Sequence, residues 1–262
     1  MNSTPNLVDT TRSEWLKFRS VRASLIGVLT FFVLTVGLAV LVSFVIKTNW
    51  NHRDPARQLV FDPVTTSLVG VFFGQFAAGV MGARFITSEY ASGGIRTSLA
   101  AVPQRWRLSL SKVIVLLVVF SVLSEIATFL AFSVGQVIYK SGHLPTGSLS
   151  NSTDLRAVVF AGVYLVLLTL IGYALGLLLR TTATTISVFV AVLFIVPIIM
   201  NFLPSNWQDH VNKFLPSQMG AAMMSPDLTQ QAFSWGASAL LLTLYTAVLL
   251  VVGTVVLTRR DA

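Results

Sequence analysis

The sequence predicts an all-α integral membrane protein with six transmembrane helices, an N-terminal interfacial elbow helix and a short cytoplasmic helix. Of 262 residues 54% are hydrophobic and only 11% are charged, and mean hydropathy is +0.77; a soluble domain carries roughly a quarter of charged residues. Six apolar runs are long enough to cross a hydrocarbon core of about 30 Å, which takes about 20 helical residues. These runs are continuous and lack the dyad alternation of barrel strands. Only helices and closed barrels satisfy the backbone in lipid, so the spans are expected to be helices.

Residues 1–23 form a mixed arm ahead of a first span at 24–46. No small-residue cleavage pattern follows a short apolar region, so this span is expected to be a retained anchor. Within the arm, in SEWLKFRSVR, Ser13 and Glu14 suit a helix start, and Trp15, Phe18 and Val21 or Arg22 recur at helical spacing. Cations beside such a stripe can snorkel to headgroups, which predicts an interfacial elbow; an ordinary positive flank with a belt tryptophan fits the same residues.

The second span, 64–83, contains GVFFGQFAAGVMGA, where Gly70, Gly74, Ala78 and Gly82 repeat the small-residue spacing that lets helices pack closely. Phe72, Phe73 and Phe76 are candidates to line an apolar route, or simply face lipid. The third span, 113–139, carries Glu125 near its centre. An acid at that depth needs a partner or a water-filled cavity, so substrate path, cation binding and interior packing all remain open, with Gln75 a possible hydrogen-bond partner. The fourth span, 157–179, has Gly172 and Gly176; the fifth, 186–203, has Pro197, which should kink it. Residues 204–233 then hold Pro204, Pro216 and Pro226 among Phe214, Met219, Met223 and Met224, too apolar for a free loop. The sixth span is 236–257, followed by a tail at 258–262.

Charge sets the orientation. The arm, the loop after the second span, Arg180 and the tail together hold twelve Lys and Arg, whereas Lys47, Arg53, Arg57, Lys140, Arg156 and Lys213 make six on the other side. The twofold excess puts both termini in the cytoplasm. Because these cations flank apolar runs and form no soluble basic domain, the excess of 18 Lys and Arg over 10 Asp and Glu does not point to nucleic acid. With no cysteine, disulfides, thiolate metal sites and a cysteine nucleophile are excluded. His52, His143 and His210 lie in three separate loops, so no metal site is expected. Asn151-Ser-Thr matches a glycosylation acceptor without implying a role.

The loop ITSEYASGGIRTSLAAVPQRWRLSLSK, between the second and third spans, concentrates the remaining signal. Gly93 and Gly94 break the preceding helix, Ile95, Leu99 and Val102 follow at i, i+4 and i+7, and Pro103 stops the run. A short helix at about 94–102 with an apolar stripe is predicted, either a docking surface or a helix lying on lipid. Arg105, Trp106, Arg107 and Lys112 are then expected to anchor the third span at the headgroups, as Trp15 and Phe18 anchor the first.

The order Glu89, Gly94, Ile95, Leu99, Pro103, Arg105 and Lys112 between two spans resembles the permease subunits of type-2 ABC exporters. The likeness extends along nearly the whole chain: an amphipathic arm, six spans, and a longer outer segment containing KFLPSQMGAAM. It implies that the short helix is a coupling helix seated in a groove of a separate ATP-binding subunit, with contacts on Glu89, Tyr90, Gly94, Ile95, Arg96, Leu99 and Pro103. It also implies that the outer segment dips into the membrane as a gate. The chain has no G-x-x-x-x-G-K-[ST] and no soluble region large enough for a nucleotide fold. The resemblance therefore places ATP and Mg on two copies of a partner ATPase, with no cofactor on this non-catalytic chain. A six-span unit is half a pathway, so a second permease copy or a paralogue is expected. An apolar bundle favours amphipathic or hydrophobic cargo (drug, lipid or peptide) exported across a bacterial cell membrane. A proton- or ion-coupled secondary transporter using Glu125 is the alternative; it predicts internal repeats, and none is evident. A membrane enzyme would need a cluster of acids, His or Ser that Arg84, Glu89 and Tyr90 do not supply.

Overall fold

Asn6 opens the first helix: its Oδ1 accepts the Asp9 N–H at 2.8 Å, and α1 runs Leu7–Ser20. The start thus lies well before Ser13, the cap expected from the sequence. That shift turns Thr10, Glu14 and Phe18 into the buried face of α1 and leaves Trp15 and Val21 exposed. The computed structural model describes residues 6–102, 104–202, 204, 210–227 and 232–259. Among them there is no strand.

Val21, in extended conformation, separates α1 from α2, Arg22–Thr48. Two single-turn pieces, α3 Pro55–Leu59 and α4 Pro63–Ser67, lead to α5, Val71–Ser92. Gly93 caps α5 at φ 73°, a left-handed conformation that favours glycine, and α6 follows at Gly94–Ala101. Then come α7 Arg105–Ser141, α8 Ser152–Leu179, α9 Thr182–Met200, α10 Pro216–Met224 and α11 Trp235–Arg259.

Among the described residues five helices, α2, α7, α8, α9 and α11, are long and apolar enough to cross a membrane. The expected span at 64–83 is divided instead: α4 ends at Ser67 and α5 continues to Ser92. Four polar or small positions, Gly74, Gln75, Gly82 and Arg84, dilute the apolarity of α5. The expected anchor at 105–112 is not a separate segment. It is the first two turns of α7, whose 37 residues make a rod about 55 Å long.

The core is built around α8, which is apolar on all sides and packs against α5, α7 and α11. The α5–α8 contact depends on missing side chains. A methyl on Gly82 would collide with the Thr169 carbonyl oxygen, and one on Gly172 with that of Gly79. Backbones can approach this closely only where both helices carry small residues.

Both α2 and α9 contain a π-helical turn, Val33–Gly37 and Ala191–Ile195. The second directly precedes Pro197, so the expected disturbance takes the form of a widened turn: proline removes one i→i−4 bond and its ring crowds the carbonyl below. In the segment 204–233, α10 buries Met219, Ala222 and Met223 against α8 and α11, while Phe214 is 41% exposed. Residues 203, 205–209 and 228–231 lie outside the described residues.

Candidate functional site

Where α1, α5, α6 and α7 converge, four charged side chains meet. Lys112 on α7 donates to Glu14 Oε2 of α1 at 2.5 Å and to Glu89 Oε1 of α5 at 2.7 Å. Lys17 bonds Glu14 Oε1 at 2.6 Å and Glu89 Oε1 at 3.1 Å, and it also donates to the Ser98 hydroxyl of α6 at 3.1 Å. Two cations and two carboxylates make the junction neutral. Lys112 and Glu14 are each 1% exposed, and the Lys112 ammonium stands 4.7 Å from the centre of the Phe85 ring.

Glu89 and Lys17 are held in their ionised forms by their neighbours. Burial alone would raise the Glu89 carboxyl, but the Lys112 and Lys17 ammonium groups hold it below the usual carboxylate range. Burial likewise opposes the charge on Lys17, and Glu14 and Glu89 outweigh it, so its amine lies above its ordinary value. A depressed carboxyl contributes stability above its unfolded value and loses it as pH falls through the folded one; a raised amine contributes below its unfolded value and loses it as pH rises through the folded one. The junction is therefore intact across the neutral range.

This geometry changes the parts assigned to several residues. Lys112 is not at the headgroups: a buried ammonium is stable here because two carboxylates receive it. Phe18, 9% exposed, packs edge-on against Phe85 and belongs to the core. Trp15 and Trp106 remain 43% and 49% exposed, Trp106 beneath the Arg107 guanidinium. Arg105 donates to the Leu257 carbonyl at 3.2 Å and so ties α7 to α11.

The apolar stripe of α6 is turned inward. Ile95 and Val102 are buried and Leu99 packs on the core, so the surface left to the outside is Gly93, Arg96, Thr97 and Ala100. Gly94 is half-buried, and Tyr90 lies under the Arg180 guanidinium at 5.3 Å. Pro103 lies outside the described residues.

Deeper in the bundle the expected Glu125–Gln75 pairing does not occur. Gln75 Oε1 accepts from the buried Tyr164 hydroxyl at 2.6 Å and its amide donates to the Phe72 carbonyl at 2.8 Å. Glu125 points instead at Gly162 on α8, where any Cβ would overlap the carboxylate. Its Oε2 is buried without a hydrogen-bond partner among the described residues. Phe72 and Phe73 are 49% and 41% exposed, whereas Phe76 stacks on Phe194 of α9 at 3.9 Å.

The sequence reading missed Lys17 and Ser98 as members of the junction and took Glu14 for a start signal. One clue was available: Glu14 is the lone acid between Arg12 and Lys17 in a basic arm, and it stands i and i+4 with Thr10 and Phe18.

Long apolar helices packed around α8, with a charged junction at one end, define a multi-pass membrane protein. The family model described as ABC-2 family transporter protein matches residues 51–262, and the chain belongs to that family. It is thus a permease of an ABC transporter, a membrane component of a kind that typically works with an ABC ATP-binding subunit. A search of the curated proteins finds no match for the chain.

Proposed function

We propose that the chain is the membrane subunit of an ATP-driven exporter and that α6 is its coupling helix. In this reading α5 is the sixth span, both termini are cytoplasmic, and α1 is the interfacial elbow. Two ATP-binding subunits carry ATP and Mg, a second copy or paralogue of the chain completes the pathway, and residues 204–233 form an outer gate. Cargo is amphipathic or hydrophobic, and the site of action is a bacterial cell membrane. The observation that carries the reading is the mounting of α6: Ile95 roots it in the core and Ser98 ties it to the junction, while Arg96 and Thr97 project outward. A helix held this firmly can pass a push from a partner's groove to α5, α7 and α1 together.

Co-expression with an ABC ATP-binding subunit from the same genome tests it. Arg96→Glu and Thr97→Arg are expected to reduce recovery of the complex at least about tenfold and to leave the thermal stability of the permease within about 0.5 kcal/mol of wild type, as exposed substitutions do. Complexes recovered at wild-type levels from both variants would remove α6 as the contact.

A second reading is favoured by one observation, the Glu125 oxygen that is buried and unpartnered opposite Gly162. In an ion- or proton-coupled transporter this carboxyl would be the relay. Transport by Glu125→Gln, followed across pH, separates the two. ATP-driven export predicts a pH profile with the shape of wild type; loss of pH dependence together with transport would favour the relay.

A further inference from the structure

Beside the ionic junction a cavity of about 730 Å³ opens between α1, α2 and α5. Its deeper part is apolar, with Ile26 and Gly27 on α2 facing Ala77, Val80 and Met81 on α5. Gly27 makes the passage: a methyl there would stand 3.0 Å from Met81 Sδ. At the α1 end the lining changes to Arg84, Ser88 and Ser24. Arg84 is exposed to the cleft and, among the described residues, enters none of the ion pairs of this end; Lys17 and Glu89 of the junction line the same end, where Glu89 Oε2 has no hydrogen-bond partner among the described residues. The junction is neutral, so Arg84 adds one uncompensated positive charge at the mouth of an apolar groove. Ile26, 65% exposed, and Leu29, 66% exposed, continue that groove onto the outer face of α2.

We propose that this cleft binds a membrane lipid with an anionic phosphate headgroup. The guanidinium offers the planar pair of donors that phosphate accepts bidentately, and Ser24 lines the same end of the cleft. One acyl chain descends between α2 and α5, where the seven residues from Ala77 to Ala83, ahead of Arg84, give about 10 Å of apolar wall. Apolar chain and negative head match the two halves of the cavity, and its volume lies in the range of small-ligand sites. An arginine on a helix in lipid also needs an anion or the headgroup layer, and here both are the same group. The inference rests on the reading that α5 crosses the membrane, and it is independent of the ATPase.

The full chain is reconstituted in phosphatidylcholine nanodiscs carrying a trace of phosphatidylglycerol, or of phosphatidylcholine, each with a photoactivatable acyl chain. Labelled peptides are then mapped by mass spectrometry. Phosphatidylglycerol is expected to label the peptides containing Ile26 and Val80 in preference to phosphatidylcholine. Arg84→Gln should lower that preference about fivefold, and Arg84→Lys should keep most of it. Arg19→Gln, on the exposed side of α1, should leave it unchanged, which separates a site from general attraction of anionic lipid. Thr30→Trp, filling the groove with Arg84 intact, should reduce labelling by both lipids, and it decides the matter should Arg84→Gln fail to fold. Equal labelling by the two lipids in wild type, an unchanged preference in Arg84→Gln, or cross-links from these positions to a second copy of the chain would each overturn the proposal. Equal labelling of the wild-type chain by the two lipids while the ATPase complex still forms removes this site alone. Loss of the complex with labelling intact removes the coupling reading alone.

Discussion

Lys112→Met is expected to destabilise the fold by about 3–5 kcal/mol, because it leaves Glu14 and Glu89 facing one another in a buried site with only the half-exposed Lys17 between them. Unfolding in detergent, followed by fluorescence-detected size exclusion after heating, should show a large drop in midpoint or loss of the monodisperse peak. Pairing the change with Glu89→Gln restores the balance of one cation and one anion, and the double variant should recover a clear part of the loss. The same junction predicts acid lability. Stability should hold through neutral pH and fall once the pH passes below the ordinary carboxylate range, toward the depressed value of Glu89. A Lys112→Met protein with wild-type thermal stability would mean that the four charges are not coupled as the distances indicate.

Gly172→Leu should have an effect of similar or greater size. A side chain there has nowhere to go: the Gly79 carbonyl and Cα of α5 lie against the glycine, and backbone, unlike a flexible side chain, cannot rotate aside. Separating α5 from α8 would open the most extensive helix contact in the chain. We expect little folded protein, whereas Gly236→Ala, at a helix start with open space around it, should behave as wild type. Normal expression and stability of Gly172→Leu would show that the two helices do not approach at this point.

Much of the architecture could be read from the chain because lipid imposes a coarse rule. Long apolar runs have to be helices, and five of the expected spans coincide with helices of sufficient length and apolarity, their ends displaced by a few residues. The exception is instructive. At 64–83 the hydroxyl residues Thr65, Thr66 and Ser67 are tolerated inside a span, and no proline follows Ser67 to mark that α4 stops and α5 begins. The division is tertiary: Gly70 lies against the Thr35 carbonyl of the π-helical turn in α2, where a Cβ would collide.

The site was legible in its location and not in its wiring. Glu89, Lys112 and the α6 helix stood out because charge is rare in this chain. Which charges pair depended on the direction in which α1 presents Glu14, and that depended on a cap about two turns upstream, at Asn6. For α6 the stripe at i, i+4 and i+7 was correctly placed but does not by itself say who covers it; an amphipathic helix satisfies the same pattern against its own bundle as against a partner. Glu125 illustrates the reverse case. Its oddity was visible at once, while the cavity it occupies is made by the absence of atoms at Gly162, and a glycine in an apolar run gives no indication of what fills the room it leaves.

The unbroken length of α7 has a mechanical consequence. One end carries Lys112 in the junction, and the other carries Tyr139, whose hydroxyl oxygen accepts from the Ser43 hydroxyl of α2 at 2.9 Å. No proline interrupts the 37 residues, so nothing along the rod absorbs bending. The arm from Lys112 to Tyr139 is about 40 Å long and turns a tilt of about 5° at one end into about 3.5 Å of travel at the other. The ionic cluster therefore acts as a bearing: its strength fixes the fulcrum, and the far tip moves by whatever rotation that fulcrum allows.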